Sequence, residues 1–150
     1  MKFCAMLLCL VLGASPVRAD ETLSPAANAA YLAAHAKKPG TITRASGLQY
    51  QVLRSGVGRR PGRSDVVRLQ YAMRLINGTV VDATTPSLPA AVLLGGISLA
   101  GLGEALSLMR EGDRWQVVIP PDLAYGLKGA GPIGPNQTLI FDIELIEIKK

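Results

Sequence analysis

The sequence predicts an α+β domain, antiparallel strands interrupted by one short helix and preceded by a second short helix. Three observations carry this. Val67, Leu69, Tyr71, Met73 and Leu75 alternate with more polar neighbours, and Trp115, Val117 and Ile119 do so again, the period-two signature of strands with one buried face. Asn77-Gly78 supplies two residues that accept positive φ in a tight turn, so the chain doubles back through residues 79–82 as a hairpin. Leu102, Ala105, Leu106 and Met109 fall at helical spacing between those strands, with Gly112 as the stop signal.

The chain opens with a segment of different character. Lys2 precedes an apolar run over residues 3–12, a Gly13 to Pro16 break and a Val17-Arg18-Ala19 ending, which together predict an export signal over residues 1–19 cut before Asp20. The run is too short to span a bilayer, which takes roughly twenty residues, so no membrane association is expected after cleavage. Both cysteines, Cys4 and Cys9, lie in this segment. The mature chain would then rest on packing alone, even in a compartment that permits disulfides. Its formal charge falls from +5 to +3 once Lys2 and Arg18 are gone, fourteen Lys/Arg against eleven Asp/Glu. That excess is small, and the basic residues near Arg54 to Arg63 are not interleaved with stacking aromatics, so nucleic acid is not an expected partner.

Residues 20–46 predict an alanine-rich helical stem and linker. Ser24 is placed to cap, Pro25 to occupy the first helical position, and Lys37-Lys38-Pro39-Gly40 to end the helix. Tyr31 and Leu32 are its only large apolar groups, which suits a stem or a docking segment. His35, the single histidine, is expected on an exposed helix face, and alone it supports neither a Ser-His-Asp triad nor a zinc site.

From Gly47 the alternation of Leu48, Tyr50 and Val52 begins the strands of a domain over residues 47–150. Between Thr84 and Gly101, Pro86, Pro89 and Gly95-Gly96 predict a covering loop. Leu139, Phe141, Ile143 and Leu145 form the last strand, with Asp142 and Glu144 directed to solvent. The glycines near residues 95–103 lack a phosphate-binding lysine and make a poor nucleotide signature. What remains is an apolar hollow between Tyr125, at a loop entrance, and Phe141, on the returning strand, without nucleophile, metal cluster or phosphate loop. No cofactor or metal is expected. Asp82, at the end of the hairpin strand, either accepts hydrogen bonds in a turn or faces the hollow, oriented by a tyrosine hydroxyl.

These motifs resemble one family in sequence and order. Gly47-Leu48-Gln49-Tyr50, Leu69-Gln70-Tyr71, Asn77-Gly78-Thr79-Val80-Val81-Asp82, Glu104-Ala105-Leu106, Ile119-Pro120-Pro121, Leu123-Ala124-Tyr125-Gly126, Gly131-Pro132-Ile133-Gly134-Pro135-Asn136 and Thr138-Leu139-Ile140-Phe141-Asp142 occur as in FKBP-type peptidyl-prolyl cis-trans isomerases. The resemblance is closest to the exported bacterial branch that includes the macrophage infectivity potentiator, with a shortened N-terminal region. It implies an FKBP-like sheet half-wrapped around one helix and rotation about Xaa-Pro amides in proline-containing unfolded or partly folded polypeptides. Periplasmic folding assistance follows, with secretion as the alternative destination. A monomer is expected, because only the end of the family's dimerising helical region remains.

Residue by residue, the resemblance assigns Tyr125 as donor to a bound carbonyl, Asp82 as the pocket carboxylate, and Tyr71 and Phe141 as pocket walls. Ile133 matches the loop residue that closes over the proline ring, and Leu99 the residue offering a backbone N–H. The family's pocket phenylalanine is replaced by Val81, its floor tryptophan by Leu102, and a covering-loop phenylalanine by Val92 or Leu93. Trp115 matches a separate strand tryptophan. Each lost aromatic contact is worth roughly 0.5–1.5 kcal/mol beyond area burial. Reduced turnover and weaker macrolide binding are therefore expected, and the competing reading is a non-catalytic binding module or periplasmic chaperone using the same hollow.

Overall fold

The computed structural model describes residues 21–150; the expected export signal lies outside them. A single 3₁₀ turn at Glu21–Leu23 leads into helix α1, Pro25–Ala36. Its start follows the local chemistry: the Ser24 hydroxyl accepts from Ala27 N at 3.1 Å, and Pro25 occupies the first position, where no amide is needed.

Seven strands follow: β1 Ile42–Thr43, β2 Gln49–Arg54, β3 Val66–Arg74, β4 Val80–Ala83, β5 Ala90–Leu93, β6 Arg114–Ile119 and β7 Leu139–Lys149. They form one antiparallel sheet in the order β1-β2-β6-β7-β3-β4, and β5 pairs with β3 beside β4. The Asn77-Gly78 turn is present, with Gly78 at φ 89°, Thr79 N donating to Asn77 Oδ1 and Leu75 N donating to Thr79 O. Two elements differ from expectation. The stretch expected as a loop contains β5, because Ala90 to Leu93 find the edge of β3 beyond the end of β4, at residues 66–69. The sheet also begins at Ile42, ahead of Gly47.

Helix α2, Ala100–Leu108, packs on the concave face over Leu106 and Ala105, both buried with Val117, Ile119, Leu139 and Leu145. The approach is close: a Cβ at position 101 would stand 2.4 Å from Ile119 Cγ2, so only glycine fits there. The helix ends at Leu108, with Met109 in extended conformation, and Gly112 (φ 93°) serves instead in the turn before β6. That turn is held by the buried Asp113 carboxylate, which accepts from Arg110 N at 2.8 Å and from Gly56 N at 2.5 Å. On the same face Tyr50 and Trp115 stack with ring centroids 4.2 Å apart.

The opposite face of the sheet carries a second, smaller burial. Gln49, Val118, Ile140 and Arg74 form one row across four strands, and Val118 and Ile140 are buried although they lie outside the main core. Helix α1 lies over this row. Gln49 donates from Nε2 to Leu32 O at 2.9 Å and pairs through Oε1 with His35 Nδ1 at 2.7 Å. The expectation of an exposed His35 is therefore corrected: the ring is 1% exposed, because an alanine-rich helix comes close enough to the sheet to enclose it. Asp142 and Glu144, expected as solvated, are half-buried and paired with Arg74 and Arg54 respectively. No helix among the described residues is long and apolar enough to cross a membrane.

Candidate functional site

Strand register brings the site together. Asp82 on β4 stands opposite Met73 on β3, and Met73 stands opposite Phe141 on β7, so the three side chains share a row on the concave face. Tyr71, two residues before Met73, belongs to the next row on the same face. Its ring meets Phe141 at 5.9 Å between centroids, tilted by 45°. Above this floor β3 exchanges one edge partner for another, β4 giving way to β5. Thr84 closes the gap: its Oγ1 accepts from Tyr71 N at 2.9 Å and donates to Gln70 Oε1 at 2.6 Å.

The result is a hollow of about 410 Å³. Its walls include Tyr71, Asp82, Phe141 and Tyr125, with Leu99 and Leu102 at the start of α2 and Val92 and Leu93 on β5. Six of the eight side chains expected from the sequence thus meet in one place. The other two stand apart. Ile133 is buried in the core, and Val81 is half-buried against it; neither lines the hollow. Ile133 is held there by a tight hairpin in which it exchanges backbone bonds with Ala130. Met73, Leu69, Ala90, Gly96, Ile97 and Ser98 also line the hollow. None of these is assigned to the hollow by the sequence; the period-two register with Tyr71 could have placed Met73 and Leu69 there.

The polar groups are few. Tyr71 donates from its hydroxyl to Asp82 Oδ2 at 2.5 Å. Burial, then the bond to Asp82 and its negative charge, push the Tyr71 hydroxyl up to about 12, so it remains a donor throughout the neutral range. The carboxylate is thereby fixed by a tyrosine, the second of the two roles open to Asp82. The Tyr125 hydroxyl has no hydrogen-bond partner among the described residues, and the Leu99 amide, at the N-cap of α2, has no backbone acceptor among them. Tyr125 follows a 3₁₀ turn, Pro121–Leu123, and begins a closed loop in which Gly129 N donates to Tyr125 O and Asn136 N donates to Gly126 O. Gly129 is required there: at φ 64° a Cβ would stand 2.3 Å from Ile133 O. Among the described residues no cluster of side chains could hold a metal ion.

Residues 58–146 match the family model for FKBP-type peptidyl-prolyl cis-trans isomerase. The chain is 47% identical over 122 residues to the outer membrane protein MIP of Legionella longbeachae, covering 81% of this chain and 52% of that protein. It is 45% identical over 120 residues to the FKBP-type 22 kDa peptidyl-prolyl cis-trans isomerase of Escherichia coli, covering 79% and 58%. It thus spans just over half the length of these relatives. Among solved structures, a peptidyl-prolyl cis-trans isomerase from Pseudomonas syringae superposes with a TM-score of 0.77 at 35% identity, over 83% of this chain and 92% of that one. FkpA from Escherichia coli does so with a TM-score of 0.79 at 39% identity, over 83% and 58%. The register that gathers Tyr71, Asp82 and Phe141 and these likenesses agree, and the chain belongs to the FKBP-type peptidyl-prolyl cis-trans isomerase family, in its Mip-like branch.

Proposed function

We propose that the chain is an active peptidyl-prolyl cis-trans isomerase, exported and monomeric, acting on proline-containing segments of unfolded or partly folded polypeptides, and that the hollow over Phe141 is its active site. The observation that carries this is an apolar hollow with a free tyrosine hydroxyl and a free amide at its edge and no reactive group. Rotation about an Xaa-Pro amide meets a barrier of about 20 kcal/mol because twisting forfeits resonance. The planar amide is the more dipolar form, so transfer from water to an apolar surface disfavours it relative to the twisted form. Donors that fit only the twisted geometry add to the difference. In this reading Tyr125 donates to a substrate carbonyl, Leu99 offers its N–H, Tyr71 and Phe141 form the walls for the proline ring, and Asp82, tied to Tyr71, lines the rim. Leu102 and Val92 or Leu93 form the floor and cover where aromatics are missing. Val81 and Ile133 act behind the walls.

Turnover is reduced relative to aromatic-lined relatives, and macrolide affinity more so, because a rigid ligand depends on every wall. Support for a monomer comes from α1, whose buried residues Asn28 and His35 are spent on Thr138 and Gln49 of the same chain. The test is relaxation of cis/trans equilibria in short Xaa-Pro peptides with residues 20–150. Acceleration that falls about tenfold in Tyr125→Phe, the worth of one hydrogen bond near 1.4 kcal/mol, supports the assignment. No acceleration at high protein concentration, with prevention of aggregation that survives Tyr125→Phe and Asp82→Ala, would replace catalysis by binding alone.

A further inference from the structure

Helix α1 reaches the substrate loop as well as the sheet. Asn28, in its first turns, is 2% exposed, and its amide is satisfied on both sides. Oδ1 accepts from Thr138 N at 2.7 Å, while Nδ2 donates to Ser24 O at 3.0 Å and Leu23 O at 3.2 Å. From the other side Gln137, also buried, donates from Nε2 to the same Leu23 O at 3.0 Å and to Pro135 O at 3.0 Å. Between this knot and Tyr125 there is one further bond, Asn136 N to Gly126 O at 2.9 Å, which closes the loop. Asn136 makes it at φ 56°, a left-handed conformation that asparagine adopts more readily than other non-glycine residues.

A helix that merely covered the sheet would do so with alanine at position 28, as at most of its other positions. An asparagine taken out of water needs partners to offset the loss, and the one its oxygen has, Thr138 N, lies on the segment that ends the Tyr125 loop. We infer that the N-terminal end of α1 belongs to the substrate-binding apparatus, with Asn28 as a positioning residue that latches Thr138 and, through the Asn136 to Gly126 closure, fixes Tyr125 at the edge of the hollow. The inference deepens the isomerase reading of that hollow and rests on it for its consequence in turnover.

The test compares Asn28→Leu with His35→Leu in the full chain. The second loosens the far end of the same helix and touches no loop residue. Amide exchange is followed at Asn136 and Thr138, KM and kcat are measured on an Xaa-Pro peptide, and unfolding midpoints report global stability. Asn28→Leu is expected to speed exchange at both amides by roughly tenfold beyond any change in global stability, and to raise KM more than it lowers kcat. His35→Leu should shift the midpoint alone. Should Asn28→Leu fail to fold, Gln137→Leu breaks the knot from the loop side and carries the same expectation. Equal effects of the Asn28 and His35 variants on loop exchange, or none from Asn28→Leu, would overturn the latch. Exchange needs no turnover, so an inactive parent chain would sink the isomerase reading while the latch stands or falls on exchange.

Discussion

Replacing Leu102 by tryptophan tests whether the missing aromatic floor limits this site. Leu102 lies in the first turn of α2, half-buried, with one side against the core and the other on the hollow of about 410 Å³. An indole there extends into open space, so the overpacking cost of about 1–3 kcal/mol that attends enlargement of a filled core is avoided. An aromatic partner for Tyr71 and Phe141 adds roughly 0.5–1.5 kcal/mol beyond area burial. If that energy is realised as the Xaa-Pro amide twists, kcat/KM rises by about two- to tenfold. Protease-free relaxation of an Xaa-Pro peptide reads the rate, and denaturant unfolding shows whether the fold has tolerated the change. An unchanged or lowered kcat/KM in a variant of undiminished stability would refute the idea that the lost aromatics weaken the site.

Tyr71 should give a pH signature. Its hydroxyl, at about 12 in the folded protein against 10.0 unfolded, holds a proton that the unfolded chain has released, so its contribution is complete below pH 10 and is lost as pH rises toward 12; tyrosinate absorbance and unfolding midpoints in that window should both change in Tyr71→Phe. Asp65 acts at the other extreme: the Arg59 guanidinium at 2.7 Å, with Gly62 N–H, holds its carboxyl below 3.8, so its stabilisation is present above that value and lost as pH falls further, and Asp65→Asn should flatten the acid limb of the stability profile. Gly101→Ala sets helix propensity, worth about 1 kcal/mol in favour of alanine, against overpacking of about 1–3 kcal/mol. With a Cβ 2.4 Å from Ile119 Cγ2 the clash prevails, and a lowered melting temperature is expected.

Much of the sheet was legible because burial on one face writes itself as period two: Leu69, Tyr71 and Met73, then Val117 and Ile119, then Phe141 and Ile143. Turn chemistry at Asn77-Gly78 and cap chemistry at Ser24-Pro25 were legible for the same local reason. What stayed hidden was set by contacts distant in sequence. Residues 90–93 become a strand only because β4 ends short and leaves the edge of β3 open. His35 is buried by Gln49 and the sheet behind it, which an alanine-rich helix does not announce. At the site, Tyr71, Asp82, Phe141, Tyr125, Leu99 and Leu102 line one hollow. Val81 and Ile133 stand behind the lining, a difference of side-chain direction that motif matching does not resolve.

Helix α1 also bears on solubility. Val118 and Ile140 sit side by side on neighbouring strands, apolar and shielded by the helix. A fragment trimmed back to residue 47 would present this β-branched pair to water at the centre of a sheet face, beside the ion pairs of Arg74 and Arg54. Such a fragment would retain the hollow and yet tend to self-associate, so the alanine-rich segment is worth keeping whenever the domain is produced in isolation.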